Sequence, residues 1–182
     1  MASITKNRYQ KETVPALEKE RGYTNRLAVP RVVKVVINTG IGRISDEKQR
    51  ETIVKFLSLI AGQKPVPRVA KKAIAAFKTR QGQVIGYSVT LRGERMYQFL
   101  DRLIGVALPR TRDFKGIPLR SFDEKGNLTM GVKEHIVFAE MMGEDVRFLF
   151  GLEVTVVTSA RSREESIALL KHLGFPIQNH AS

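Results

Sequence analysis

Val32-Val33-Lys34-Val35-Val36-Ile37-Asn38 is a β-branched run interrupted by one cation and closed by an amide, with Pro30 before it and Gly40 and Gly42 after it. β-Branched side chains fit the pleated surface of a sheet, and proline and glycine fence such runs, so the segment predicts a strand. Alternate side chains of a strand point to opposite faces. Val33, Val35 and Ile37 are therefore expected on one side, and Lys34, Val36 and Asn38 on the other. Two further segments divide in the same way. Over residues 84–92, Ile85, Tyr87, Val89 and Leu91 oppose Gly86, Ser88, Thr90 and Arg92. Over residues 152–158, Leu152, Val154 and Val156 oppose Glu153, Thr155 and Val157. Each strand has one apolar face and one face of mostly polar or small residues.

Helical periodicity surrounds these strands. Residues 6–22 predict a first helix, with Pro15 as a kink or a first turn. A second starts at Ser45 as N-cap, places Asp46 and Glu47 where the helix dipole favours them, shows Ile53, Leu57 and Ile60 on one face, and stops at Gly62. Met96, Phe99, Leu100, Leu103 and Ile104 mark a third after Gly93. Ser162 and Glu165 form a capping box for a last helix with Ile167, Leu170 and Leu173, ending at Gly174. Lys64-Pro65-Val66-Pro67-Arg68 is expected to be extended, because each proline disfavours helix at the residue before it. Residues 71–82 read as a basic loop or irregular hairpin. Residues 109–150 are irregular, broken by Pro109, Gly116 and Pro118, with Lys125-Gly126-Asn127 as a turn between two strands. The mixed order predicts an α+β fold: a mainly antiparallel sheet, helices packed on one face and the other face open. Residues 1–182 read as a single domain.

Charge narrows the function. The net charge is +13 at pH 7, and it is unevenly placed. Residues 1–63 carry 12 Lys and Arg against 6 Asp and Glu, residues 64–120 carry 13 against 3, and residues 121–182 carry 6 against 9. A basic middle beside a slightly acidic end points to a polyanion docked on part of the surface, and nucleic acid is the commonest such partner. No basic amphipathic helix with bulky anchors suggests a membrane surface, and the apolar stretches are too short to span one. There is no cysteine, so disulfides and thiolate metal sites are excluded, in keeping with a cytoplasmic protein. His135, His172 and His180 are scattered, with His172 placed to complement a helix C-terminus. Gly40-Ile41-Gly42 lacks the rest of a dinucleotide or phosphate loop. Asp113 and Asp123 lie in basic or turn-rich sequence and are expected to pair with Arg110, Arg112 or Lys125. No nucleophile, base and orienter can be assembled, so no catalytic residue, metal or cofactor is assigned.

The sheet face that the helices leave open offers Lys34, Asn38, Thr90 and Arg92. Cations with amide and hydroxyl groups on a rigid surface suit phosphate, 2′-hydroxyl and base-edge contacts in structured RNA. A simply wetted face is the other reading, since antiparallel sheets often show one side to water. Lys64, Arg68, Lys71, Lys72, Lys78 and Arg80 follow one another with no acid among them, and Phe77 lies in the run. They form either a solvated charge run or a loop neutralised by an anion, with Phe77 a core tether or a stacking platform. A DNA-binding module would need exposed cations at helical spacing, and here they sit on strands and loops.

Four blocks carry a family resemblance: Leu57-Ser58-Leu59-Ile60-Ala61-Gly62-Gln63-Lys64-Pro65; Thr90-Leu91-Arg92-Gly93-Glu94-Arg95-Met96; Ala107-Leu108-Pro109-Arg110 with Arg112-Asp113-Phe114; and Leu173-Gly174-Phe175-Pro176. In order and over nearly the whole chain they resemble bacterial large-subunit ribosomal protein five, a 5S-rRNA-binding family. The resemblance implies that Lys34, Asn38, Gln63 and Thr90 belong to a 5S rRNA-binding module. Gln63, just past a helix stop, is expected at the same edge. It implies that the loop Lys71 to Gly82, with Lys71, Lys72, Phe77, Lys78 and Arg80, contacts peptidyl-site tRNA. It further implies other large-subunit rRNA as a partner, a place in the central protuberance, and contact with a small-subunit head protein across an intersubunit bridge. Pro67-Arg68-Val69, Glu124-Lys125 and Phe138-Ala139-Glu140 depart from the family's usual residues. These departures bear on loop entry, turn geometry and bridge contacts.

Overall fold

The computed structural model describes residues 3–42, 44, 46–75 and 79–178. Five strands form one sheet: β1 (Val32–Gly40), β2 (Val66–Val69), β3 (Val84–Leu91), β4 (Leu128–Val132) and β5 (Leu152–Thr158), in the order β2-β3-β1-β5-β4 with every neighbour antiparallel. The expected α+β architecture is what the chain adopts. Val35 lies opposite Leu91 and Val156, and Ile37 opposite Val89 and Val154, so one face is a continuous apolar surface. All six of these side chains are buried. Pro67 is tolerated because β2 lies at the sheet edge, where a missing N–H breaks no internal ladder. Gly86 is buried where β3 crosses the end of β1. A Cβ there would stand 2.8 Å from the Thr39 carbonyl oxygen, so the close approach requires glycine.

Two strands depart from the expected alternation: in β3 Gly86 and Ser88 are buried while Ile85 and Tyr87 are half-buried, next to a register shift against β2, and β1 departs at its start. The β1–β5 register shifts between Val32 and Lys34, a bulge that turns Val33 outward, 43% exposed, and puts Val32 in the core instead. An extra residue in a ladder inverts the alternation on one side of it, so the pattern holds only from Lys34 onward.

The helices cover the apolar face. The first, α1, comprises Ile4–Arg8, a wider turn at Tyr9–Thr13, and Val14–Arg21. In the wide turn the Val14 N–H donates to the Tyr9 carbonyl five residues back. Pro15 has no N–H to give and its ring crowds the preceding turn, so the local widening accommodates it without ending the helix. The same device precedes Pro109: α3 (Gly93–Arg102) passes through a wide turn at Leu103–Ala107 into Leu108–Arg110. Helix α2 is Glu47–Ala61, capped by Asp46, whose side chain accepts from Lys48 N–H. The cap therefore falls one residue later than expected, and Ser45 lies outside the described residues. Helix α4 (Arg163–His172) has the predicted Ser162 cap, which accepts from Glu165 N–H; the Glu165 carboxylate accepts from Arg161 N–H. Ile53, Phe56, Leu57 and Ile60 of α2, with Met96, Phe99 and Leu100 of α3, pack over the sheet.

The turn at 123–127 has a strand on one side only. Asp123 accepts from the backbone N–H and side-chain amide of Asn127, at 2.7 and 2.8 Å, which leaves the preceding chain joined by the single bridge Phe122 to Leu128. Asp123 is thus held first by the turn, with the charge of Lys125 beside it as a lesser attraction. From His135 to Met141 the chain makes two short 3-10 turns, tied to α3 by the Arg102–Glu140 ion pair.

His135 anchors this region. Its ring is fully buried and stacked between Phe56 and Phe150, with centroids 5.4 and 4.1 Å away, and Nδ1 accepts from Phe150 N–H at 3.4 Å. Burial disfavours the charged ring and holds its pKa below the ordinary histidine value. Below the unfolded pKa the unfolded chain takes up a proton that the folded chain refuses, so stability is full above that value and falls as pH drops through it toward the folded pKa. Denaturant midpoints measured at mildly acidic and neutral pH are expected to fall on the acid side, with a smaller fall in His135→Phe. An unchanged acid-side difference in the variant would show that His135 is not the cause.

Candidate nucleic-acid interface

The open face is a lattice of cross-strand neighbours. One row runs Val66, Ser88, Asn38, Glu153 and Gly131 from β2 to β4; the next runs Thr90, Val36, Thr155 and Thr129; Lys34 stands beside Val157. Lys34, Asn38 and Thr90 are half-buried on this face. Backbone pairing fixes where they stand, with Asn38 between Ser88 and Glu153, Thr90 beside Val36 and Lys34 beside Val157, so their spacing is set before any ligand arrives. Thr129 and Thr155 hydroxyls meet at 3.1 Å. Glu153 is the carboxylate of the central row.

Gln63 sits one residue beyond Gly62, the left-handed C-cap of α2 (φ 64°), which turns the chain toward the sheet. Its amide donates to the Thr90 carbonyl at 3.5 Å, and its carbonyl accepts from Arg95 at 3.5 Å. The expectation that Gln63 reaches the same edge as Thr90 holds in the structure. Arg92 is exposed just after β3, as the N-cap residue of α3 rather than as a strand position. Arg95 is not among the expected residues, because its link to Gln63 joins positions 32 apart in sequence. Arg68 is expected from sequence only as part of a charge run. It lies within β2 opposite Gly86, with Nε donating to Ser88 Oγ at 2.6 Å, and so adds a cation to the open face.

The basic segment beyond β2 is an irregular hairpin. Gly82 N–H donates to the Ala70 carbonyl, Ala70 N–H to the Gln83 carbonyl, and Ile74 and Thr79 exchange a pair of backbone bonds. Lys71, Lys72 and Arg80 are exposed on it. Phe77 and Lys78 lie outside the described residues, as does His180. His172 is paired with Glu20 of α1 at 3.0 Å, in addition to its place in the last turn of α4. Among the described residues no group of three or more His, Asp or Glu is placed to hold a metal ion, and no helix is long and apolar enough to cross a membrane.

Comparison with known proteins decides the family. Residues 25–80 match the family described as Ribosomal protein L5, and residues 84–177 match the model of the same ribosomal family's C-terminus. The chain is also 50% identical over 177 residues, 97% of its length, to the protein named Large ribosomal subunit protein uL5 from Streptococcus pyogenes serotype M5 (strain Manfredo), 98% of which is covered. It matches the protein of the same name from serotype M49 (strain NZ131) equally well. The chain belongs to the ribosomal protein L5 family. Members are structural components of the large ribosomal subunit, associated with rRNA in a cytoplasmic particle, and are not enzymes. Strands β1 and β2 come from the first matched segment and β3, β4 and β5 from the second, so the open face is assembled from both.

Proposed function

We propose that the open sheet face binds 5S rRNA through Lys34, Asn38, Gln63, Thr90 and Arg92. We further propose that the chain acts as one RNA-binding domain in the central protuberance. The observation that carries this reading is the clustering itself. Lys34, Asn38 and Thr90 share one helix-free face, and Gln63 is hydrogen-bonded to the Thr90 backbone from the side. A cation, two amides and a hydroxyl on one rigid surface can meet phosphate, 2′-hydroxyl and base edges together. The purified protein is expected to retain 5S rRNA against a large excess of unrelated RNA; indiscriminate exchange would contradict the assignment.

The hairpin beyond β2 contacts peptidyl-site tRNA through Lys71, Lys72, Phe77, Lys78 and Arg80. Support comes from the exposure of Lys71, Lys72 and Arg80 on the hairpin that follows the edge strand β2. Lys71→Ala/Lys72→Ala is expected to leave 5S affinity unchanged and to speed tRNA dissociation from ribosomes. A large loss of 5S binding would overturn that division of labour. The acidic end of the chain faces a small-subunit head protein across an intersubunit bridge. Exposed Met142 and Leu149 beside Glu144 and Asp145 support a protein rather than an RNA contact there.

A further inference from the structure

A cation-lined cavity opens at the β4 edge of the sheet, with β5 between it and Lys34 and Asn38 of β1. Its volume is about 510 Å³, and Arg112, Lys115, Arg120 and Lys133 stand on its walls with the carboxylates of Asp113 and Glu134. All four cations are exposed, and among the described residues none of them is in an ion pair. Four cations on a concave wall repel one another more than on a convex surface and are relieved by a bound anion.

The walls are fixed in place. Ile117 N–H donates to the Pro176 carbonyl at 2.8 Å, Gln178 N–H to the Ile117 carbonyl at 3.0 Å, and the Gln178 side-chain amide to the Lys115 carbonyl at 3.0 Å. The C-terminal segment therefore clamps the loop that carries Arg112, Lys115 and Arg120. The Gln178 side-chain oxygen is buried without a hydrogen-bond partner, an acceptor open to a donor.

A smaller cavity of about 240 Å³ adjoins the first and shares Thr111, Phe114 and Gly131 with it. Leu108, Ile117, Met130 and Val132 line it together with the hydroxyls of Thr111, Ser121 and Thr129, a mixed wall that suits the flat faces and polar edges of a base. Phe114 is half-buried between the two compartments, and Gly131 leaves its side of the opening clear, with nothing within 4 Å of where a Cβ would stand.

We propose that this two-part cavity takes one unstacked nucleotide of ribosomal RNA, its phosphates among the four cations and its base in the smaller slot beside Phe114. Bases splayed out of RNA loops stack on aromatic rings, and cations hold the backbone that carries them. The 2′-hydroxyl or a base amino group supplies the donor that the Gln178 oxygen lacks. An acidic peptide would satisfy the cations and leave the adjoining slot without an occupant, so RNA is the better fit. The inference rests on the family's association with rRNA and is independent of which RNA the open face holds.

Arg112→Gln/Lys133→Gln changes two exposed side chains and is expected to fold normally. Two assays separate the RNA sources. In the first, 5S affinity of the free full-length protein is measured at several salt concentrations. In the second, preformed complexes of the protein with 5S rRNA are titrated, at several salt concentrations, onto large subunits stripped of both. If the nucleotide belongs to large-subunit rRNA, the variant keeps wild-type 5S affinity, and its log–log salt slope in the second assay is shallower by about two, roughly one for each phosphate contact removed. If it belongs to 5S rRNA, the slope change appears in the first assay. Ultraviolet cross-linking of assembled subunits is expected to give a nucleotide adduct on the peptide containing Phe114, lost in Phe114→Leu. Wild-type slopes in both assays with no adduct, or a protein adduct in place of RNA, would overturn the proposal. Failure of the wild-type protein to select 5S rRNA would overturn the open-face reading alone.

Discussion

Phe99→Ala is expected to lower the stability of the folded chain by about 3–5 kcal/mol, the range for removing a large buried aromatic side chain. Phe99 is fully buried in the middle of α3 and stacks on Phe138, with ring centroids 5.9 Å apart and planes at 26°. Truncation there leaves a void beneath the sheet and strips Phe138 of its ring partner, so the helix keeps its hold on the irregular segment after β4 only through the Arg102–Glu140 ion pair. Denaturant midpoints at neutral pH measure the loss. A cost below about 1 kcal/mol would mean that the core collapses around the void, contrary to a tightly interlocked helix layer. Because Phe99 and the open face lie on opposite sides of the sheet, the fraction that stays folded is expected to bind 5S rRNA normally.

Sequence periodicity reveals the faces of β5, which alternates from end to end, but in β3 it holds only from Val89 to Leu91, since Gly86 and Ser88 are buried under the edge strand while Ile85 and Tyr87 are half-buried. It misplaces Val33, since nothing in a run of valines marks where an extra residue bulges out of the ladder. Both prolines inside helices are visible as irregularities, yet the wide turns that accommodate them depend on backbone bonds five residues apart, which no side-chain pattern signals. His135 looks in sequence like one of three scattered histidines. Its stacking between Phe56 and Phe150 joins α2 to the chain just before β5 and exists only once the helix lies on the sheet.

The candidate interface is legible for the same reason as the strands. Lys34, Asn38 and Thr90 fall on the polar side of the alternation, and Gln63 follows a recognisable helix stop. Arg68 and Arg95 are not legible as members. One depends on the proline-containing segment pairing as an edge strand, and the other on α3 standing beside the end of α2. The cations at 112–120 are plain in sequence, but the cavity that they line requires residues 176–178 to return and pair with Ile117. That is a contact between chain segments about sixty residues apart, with no local trace.

The second large effect concerns the open face. Asn38→Ala and Thr90→Val are each expected to weaken 5S rRNA binding by about 1–3 kcal/mol, the cost of leaving a partner group unpaired in a shielded interface. In affinity this is roughly 5- to 150-fold. Both side chains point away from the core, and the backbone pairing of β1 and β3 does not involve them, so stability is expected to change little. Thr90→Val keeps the shape and removes only the hydroxyl, which separates hydrogen bonding from packing.

The most direct measurement of the central claim is the 5S rRNA dissociation constant at fixed salt for four proteins: wild type, Asn38→Ala, Thr90→Val and Lys71→Ala/Lys72→Ala, each shown by thermal unfolding to be folded. The account predicts clear losses for the two sheet-face variants and wild-type affinity for the double lysine variant. Wild-type affinity in both sheet-face variants, with the loss falling on Lys71 and Lys72 instead, would contradict it and move the 5S contact from the sheet to the hairpin.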